Sequence, residues 1–257
     1  MRSIWTGAIG FGLVNIPIKL ISAIEDSELS LDMLDSKDHA NIKFKRVNAA
    51  TGKEVAWENI VKAYDLNGSY VVLEDEDFEK AMPEKTKTIE ISSFADQGEI
   101  DSVLYENPYY AEPAKGGERA YKLFQTALTK SGKVGLGTFV LRNKEKLCLV
   151  KTSGDALLIQ RIRFQQEIRD SKDLKIPGTA PKPAELKMAL SLINQLTEKF
   201  DISAWKDTYT EQLMKLIKAK SKGKKIIQPA MKVVHSKTKD LMEQLQASLA
   251  TKRKKAS

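Results

Sequence analysis

The residues of this sequence whose types and spacing could do chemistry are cations two positions apart. Lys43 and Lys45 share one face of an alternating segment, with Arg46 on the other, and Arg161 and Arg163 share a face of a later one. Arg142 is followed by Lys144. On an extended strand such pairs stand about 7 Å apart, close enough to reach neighbouring phosphates of a nucleic-acid backbone. Lys53 and Lys133 join them as candidate phosphate contacts, as does the terminal run Lys252, Arg253, Lys254 and Lys255. Barrel exteriors carry such charges routinely, so each cation taken alone is an ambiguous sign.

Groups suited to covalent or metal chemistry are scarce. The two histidines, His39 and His235, sit in polar surroundings and give a Ser/His/Asp or Cys/His arrangement little to work with. The single cysteine, Cys148, lies in the apolar run Leu147-Cys-Leu-Val150 and reads as a buried strand residue. One cysteine makes no intrachain disulfide, which fits a reducing cytoplasm. No Cys/His cluster has zinc spacing. The run Gly132-Lys-Val-Gly-Leu-Gly137 fails as a phosphate loop, because no glycine lies five positions before Gly132 and no Ser or Thr follows Lys133. Gly135 and Gly137 instead share one strand face, as close backbone approach or a barrel bend requires. Glu74-Asp-Glu-Asp77 reads as an acidic helix start rather than a metal site. There is no Lys-x-Asp-Gly nucleotidyltransferase motif. The sequence therefore reads as a binding protein and not an enzyme, with no cofactor and no metal.

Charge supports a polyanionic partner. The net charge of +8 conceals an asymmetry: 13 of the 42 Lys and Arg fall in residues 215–257, against the acids Asp240 and Glu243. The first 214 residues are left slightly acidic, with 29 basic against 32 acidic. A tail of this kind favours nucleic acid, although it also serves simply to keep a chain in solution.

The elements that must position these cations are mostly strands. The apolar opening is broken by Gly7, Gly10, Gly12 and Asn15 and carries Pro17, so it reads as two short strands about a glycine-rich bend rather than a signal peptide. Its only cations, Arg2 and Lys19, make it a poor candidate for DNA contact. Strand-like alternation recurs at 41–47, 70–73, 88–92, 134–142, 146–152 and 156–164, with a turn at 151–155. Helices are expected at 75–82 and 117–131, the second burying Ala120, Tyr121, Phe124, Ala127 and Leu128 and closing at Gly132. No apolar run approaches the ~18 residues of a membrane helix.

After a linker-like 177–183, Leu186, Ala189, Ile193, Leu196 and Phe200 make a narrow apolar seam on a helix of about four turns. A second helix follows, with Thr208 and Glu211 matching a capping box and Tyr209, Leu213, Leu216 and Ile217 on its apolar face. This arm packs on its own barrel or clasps a second copy of the chain. Beyond a basic linker at 221–225, Leu241, Met242, Leu245 and Leu249 form a stripe too short to be stable alone, suited to docking in a partner's groove.

These segments resemble, in order, the bacterial Ku proteins. The resemblance is carried by the opening Trp5…Phe11-Gly-Leu-Val-Asn-Ile-Pro17, by Lys43-Phe-Lys-Arg-Val47, Gly52-Lys-Glu-Val-Ala-Trp57 and Ile60-Val-Lys-Ala-Tyr64, and by Tyr70-Val-Val-Leu-Glu-Asp-Glu-Asp-Phe78. It continues through Pro108-Tyr-Tyr110, Lys115-Gly-Gly-Glu118, Lys133-Val-Gly135 and Phe139-Val-Leu-Arg142 to Asp207-Thr-Tyr209 and Leu216-Ile-Lys-Ala-Lys220. It spans roughly residues 1–222.

The resemblance implies a mainly β fold with some α: a β-barrel core with a DNA-encircling bridge over 1–176, a helical dimerisation arm over 177–222 and a flexible basic tail over 223–257. It implies a homodimeric ring threaded by a double-stranded DNA end, bound without sequence specificity, and recruitment of DNA ligase D for non-homologous end joining. No catalysis, cofactor or membrane is implied. The eukaryotic subunits' N-terminal von Willebrand-like domain has no counterpart, since the core starts at Met1. Some members carry Cys-x-x-Cys where this chain has Asn48-Ala-Ala-Thr51, which argues against metal there. The rivals left open are an architectural nucleic-acid-binding or RNA-binding protein without end selectivity, and an adaptor whose tail only keeps it in solution.

Overall fold

The structure, a computed structural model, describes residues 2–81 and 86–223 and the isolated positions 242, 244, 245 and 248. It begins with β1 (Trp5–Phe11) and β2 (Val14–Ser22), joined through Gly12 and Leu13. Gly12 takes a φ of 57°, which a two-residue hairpin loop demands and glycine supplies without strain. Next come β3 (Lys62–Leu66) and β4 (Ser69–Leu73), a hairpin whose turn residues Asn67 and Gly68 both have positive φ. The helix α1 (Asp75–Ala81) follows. Then come β5 (Thr88–Asp96), β6 (Tyr105–Pro113), α2 (Glu118–Ser131), β7 (Lys133–Leu141), β8 (Lys144–Ser153) and β9 (Ala156–Ile162). The last helices are α3 (Pro183–Leu196) and α4 (Thr208–Lys220).

Seven strands close a barrel in the order β1-β2-β6-β9-β8-β7-β5, with β5 returning to pair parallel with β1. Ile9, Ile16, Ile18, Leu20, Ile89, Phe139, Val150, Leu157 and Ile159 fill its core together with Cys148. Burial holds the Cys148 thiol neutral, pushing its pKa up to about 12. The paired glycines of β7 meet a bulge in β5 between Ile91 and Ser93. A Cβ on Gly137 would fall on the Glu90 carbonyl and within 3.0 Å of the Ile91 Cα, so the close approach of backbones is real.

One hydroxyl ties α2 to the barrel. Tyr121 donates to the Ala111 carbonyl at 2.7 Å and accepts from the Leu157 N–H at 2.7 Å. The buried face of α2 is Tyr121, Phe124, Gln125 and Leu128, and Gly132 closes it with a φ of 65°. Gln125 replaces the expected Ala127, which is exposed, because its amide reaches the Gly154 carbonyl and the Thr129 hydroxyl. Two strands escape sequence patterning. β6 contains Pro108 and Pro113, and β3 is flagged only by its Asn-Gly turn.

The expected strand at 41–47 does not form. Only isolated bridges at its ends, Leu34 to Asn41 and Val47 to Glu54, replace a ladder. Its alternation is genuine, yet no sheet face lies beneath it to reward pairing, and all seven residues are exposed. The first arm helix is shorter than expected. It ends at Leu196, where Thr197 turns its hydroxyl back to the Ile193 carbonyl at 2.8 Å, so Phe200 lies beyond it. At α4 the cap is Asp207, one residue before the expected Thr208, and its carboxylate accepts from the Thr210 N–H at 3.0 Å.

Contacts divide the chain into two compact units, one of Met1–Asp26 with Ser30–Asp170 and one of Ser27–Leu29 with Ser171–Ser257. No described helix is long and apolar enough to cross a membrane.

Candidate nucleic-acid interface

Between β2 and β5 the chain makes an excursion in which no described residue from Ile21 to Thr88 is buried. Local hydrogen bonds hold it instead. Near its start, Asp35 N–H donates to the Ala40 carbonyl and His39, at a φ of 59°, turns the chain. Further on, the Val47–Glu54 bridge closes a six-residue loop. Asn48 organises that loop: its side-chain carbonyl accepts from Ala50 N–H at 2.9 Å and Thr51 N–H at 3.0 Å, and its backbone carbonyl accepts from Gly52 N–H at 2.8 Å. The loop thus closes on hydrogen bonds. No group of three or more His, Cys, Asp or Glu that could hold a metal occurs among the described residues.

This excursion carries four of the candidate cations. Lys43 and Lys53 are exposed and have no ion pair among the described residues. Lys45 contacts Glu54 at 2.7 Å, in an exposed pair that solvent screens to little net value. Arg46 lies 4.4 Å over the ring of Trp57. Trp57 is 70% exposed and Phe44 79%, so two large aromatics stand in solvent beside the cations. Sequence patterning misses them because lone aromatics normally signal core.

Barrel cations meet different fates. Arg161 and Arg163 do come together, but on a shared carboxylate: Glu106 accepts from Arg161 Nη2 and from Arg163 Nη1 at 2.9 Å. The Glu106 carbonyl also accepts from the Gln160 amide at 2.5 Å. The Arg161 side chain is only 18% exposed, so it is withdrawn into the barrel wall, whereas Arg163 keeps a solvent-facing side. Glu106, absent from the sequence-based candidates, decides this. It sits about 55 residues upstream, so only the β6–β9 pairing reveals it. Lys133 is tied to Asp96 at 2.8 Å. Arg142 and Lys144 flank the β7–β8 turn in full solvent, with Arg142 at a φ of 51° and Asn143 at 65°. Lys151 lies 4.9 Å over the Tyr105 ring, and its partial burial lowers its pKa.

Neither arm helix buries a residue within its own unit. Leu186, Ile193, Leu196, Phe200, Tyr209 and Ile217 are exposed, and Leu213 and Leu216 half-buried. Hydrogen bonds from Thr210 hold the Asp207 carboxyl below its ordinary pKa, which keeps the cap ionised. Met242 and Leu245 are helical and half-buried. Leu241, Leu249, Lys252, Arg253, Lys254 and Lys255 lie outside the described residues. A recess of about 480 Å³ beside α2 is lined by Phe11, Phe94, Leu123 and Phe124, with Lys133 the one titratable group among its described lining residues.

Comparison with known proteins agrees with this architecture. The family model described as Ku70/Ku80 beta-barrel domain matches residues 10–188. The Non-homologous end joining protein Ku of Coxiella burnetii is 36% identical over 262 residues, covering 98% of this chain and 96% of that protein. The protein of the same name from Archaeoglobus fulgidus is 35% identical over 252 residues, covering 97% and 98%. That of Bacillus subtilis is 34% identical over 256 residues, covering 97% and 82%.

Proposed function

This chain belongs to the Ku family of non-homologous end joining proteins, and from that premise we propose that it is a non-enzymatic homodimer that encircles double-stranded DNA ends. It binds them through phosphates without sequence specificity, and recruits an ATP-dependent ligase D to join them. The observation that carries this reading is the excursion between β2 and β5. Some sixty residues hold no buried side chain, yet they expose Leu31, Met33, Val61, Tyr64 and Tyr70 among their cations. An isolated hairpin such as β3–β4 is marginal in water, and apolar surface on this scale marks an interaction site. A second copy supplies the cover, and a bridge closed in that way surrounds a duplex.

The arm supports the same reading, since α3 and α4 leave their apolar faces open in one chain. End selectivity needs such closure, because phosphates repeat along the whole duplex and offer an open binder no reason to prefer the end. Phosphate contacts fall to Lys43, Lys53, Arg142 and Lys144, with Lys45, Arg46, Lys133 and Arg163 able to contribute once their partners exchange. The basic run from Lys252 to Lys255 adds contacts from the tail. Leu241, Met242, Leu245 and Leu249 dock the ligase.

The experiment is ligation of linear duplex by ligase D with and without this chain. Joining is expected to rise with the chain. Replacing Leu241, Leu245 and Leu249 by Ala should abolish the rise while leaving the gel shift of linear duplex intact. A stimulation that survives the triple replacement removes the docking role, and no stimulation at all removes the recruitment reading.

A further inference from the structure

We propose that the ribbon around the Val47–Glu54 bridge is a platform for unpaired nucleotides, binding single-stranded overhangs at a DNA end by base stacking. This deepens the end-binding reading and rests on it for where the overhang comes from.

The bridge between Val47 and Glu54, with Val55 N–H donating to the Arg46 carbonyl at 2.9 Å and Asn48 N–H to the Lys53 carbonyl at 2.8 Å, sets an antiparallel pairing. The ladder stops there: residues 42–46 form no strand and Trp57 opens a 3-10 turn, Trp57–Asn59. Arg46 lies over the Trp57 ring, Lys45 reaches Glu54, and Phe44 stands exposed two residues before Arg46. Lys53 adds a cation at the loop.

The ribbon thus offers two solvent-facing rings and a guanidinium held over one of them. Ring faces stack on any base, and the adjoining cations meet the phosphates between bases. Intact duplex cannot use such a face, because its bases are already stacked and present only edges and backbone. Unpaired bases can. Protein–protein interfaces also favour aromatics and arginine, but they are depleted in lysine, and the exposed Lys43, Lys45 and Lys53 lie in the same ribbon.

The test is fluorescence anisotropy at fixed salt on three probes: a blunt duplex, the same duplex with an oligothymidine overhang, and oligothymidine alone. Phe44→Ala/Trp57→Ala is compared with wild type and with the conservative Trp57→Phe, and each protein's oligomeric mass is measured by sedimentation. Wild type is expected to bind the overhang roughly tenfold tighter than the blunt duplex. The double variant should lose that preference with blunt binding and mass unchanged, and Trp57→Phe should keep most of it. Equal wild-type affinity for blunt and overhanging ends overturns the inference, as does a preference that survives the double variant. A double variant that loses its mass or its blunt binding also overturns it and assigns the rings to subunit contact. Failure of wild type on blunt duplex, with retained oligothymidine binding that needs Phe44 and Trp57, rejects the end-binding reading and leaves the platform standing.

Discussion

Removing the guanidinium of Arg161 and removing the ammonium of Lys43 delete the same charge with opposite consequences. Arg161→Ala removes one of the two guanidiniums on the Glu106 carboxylate, leaving Arg163, and is expected to cost about 1.5–3 kcal/mol by urea unfolding. Lys43→Ala should leave the urea midpoint unchanged, weaken DNA binding uniformly across sequences and lower the salt slope by about one. Cys148 adds a pH signature. Its folded pKa lies above the ordinary 9.0, so the neutral thiol stabilises the fold fully below that value. That contribution is lost as pH rises toward about 12. Urea midpoints measured upward from pH 8 should therefore decline more steeply for the native chain than for Cys148→Val.

At the scale of elements, Gly137→Ala forces a Cβ into the β5 backbone and is expected to cost roughly 1–3 kcal/mol by urea unfolding. Gly98→Ala, with nothing within 4 Å of its added Cβ, should be close to neutral. The same glycine shows what sequence can reveal. Gly135 and Gly137 on one strand face announce close approach before any partner is known, as Gly12 announces the first hairpin. Alternation alone misleads at 41–47, where period-two patterning exists without a sheet to receive it. Pro108 hides β6 because it sits at the bulge between Tyr105 and Pro108, where no ladder hydrogen bond is needed. The division of cations into solvent-facing and spent was not legible at all. It depends on Glu106 meeting Arg161 through β6–β9 pairing and on Asp96 meeting Lys133 through β5–β7, and neither partner is near in sequence.

For the whole molecule, the central claim is topological: a closed assembly loads at a free end. Local charge cannot produce that preference, and neither salt dependence nor affinity for a linear fragment separates a ring from an open basic surface. The most direct measurement is a gel mobility shift on linear duplex and on covalently closed circles of the same sequence, at the same salt and nucleotide concentration. The account expects retarded complexes on the linear form and free circles at protein concentrations that saturate it, with circles becoming substrates once cut by a restriction enzyme. Equal binding to closed circles and linear duplex would contradict it.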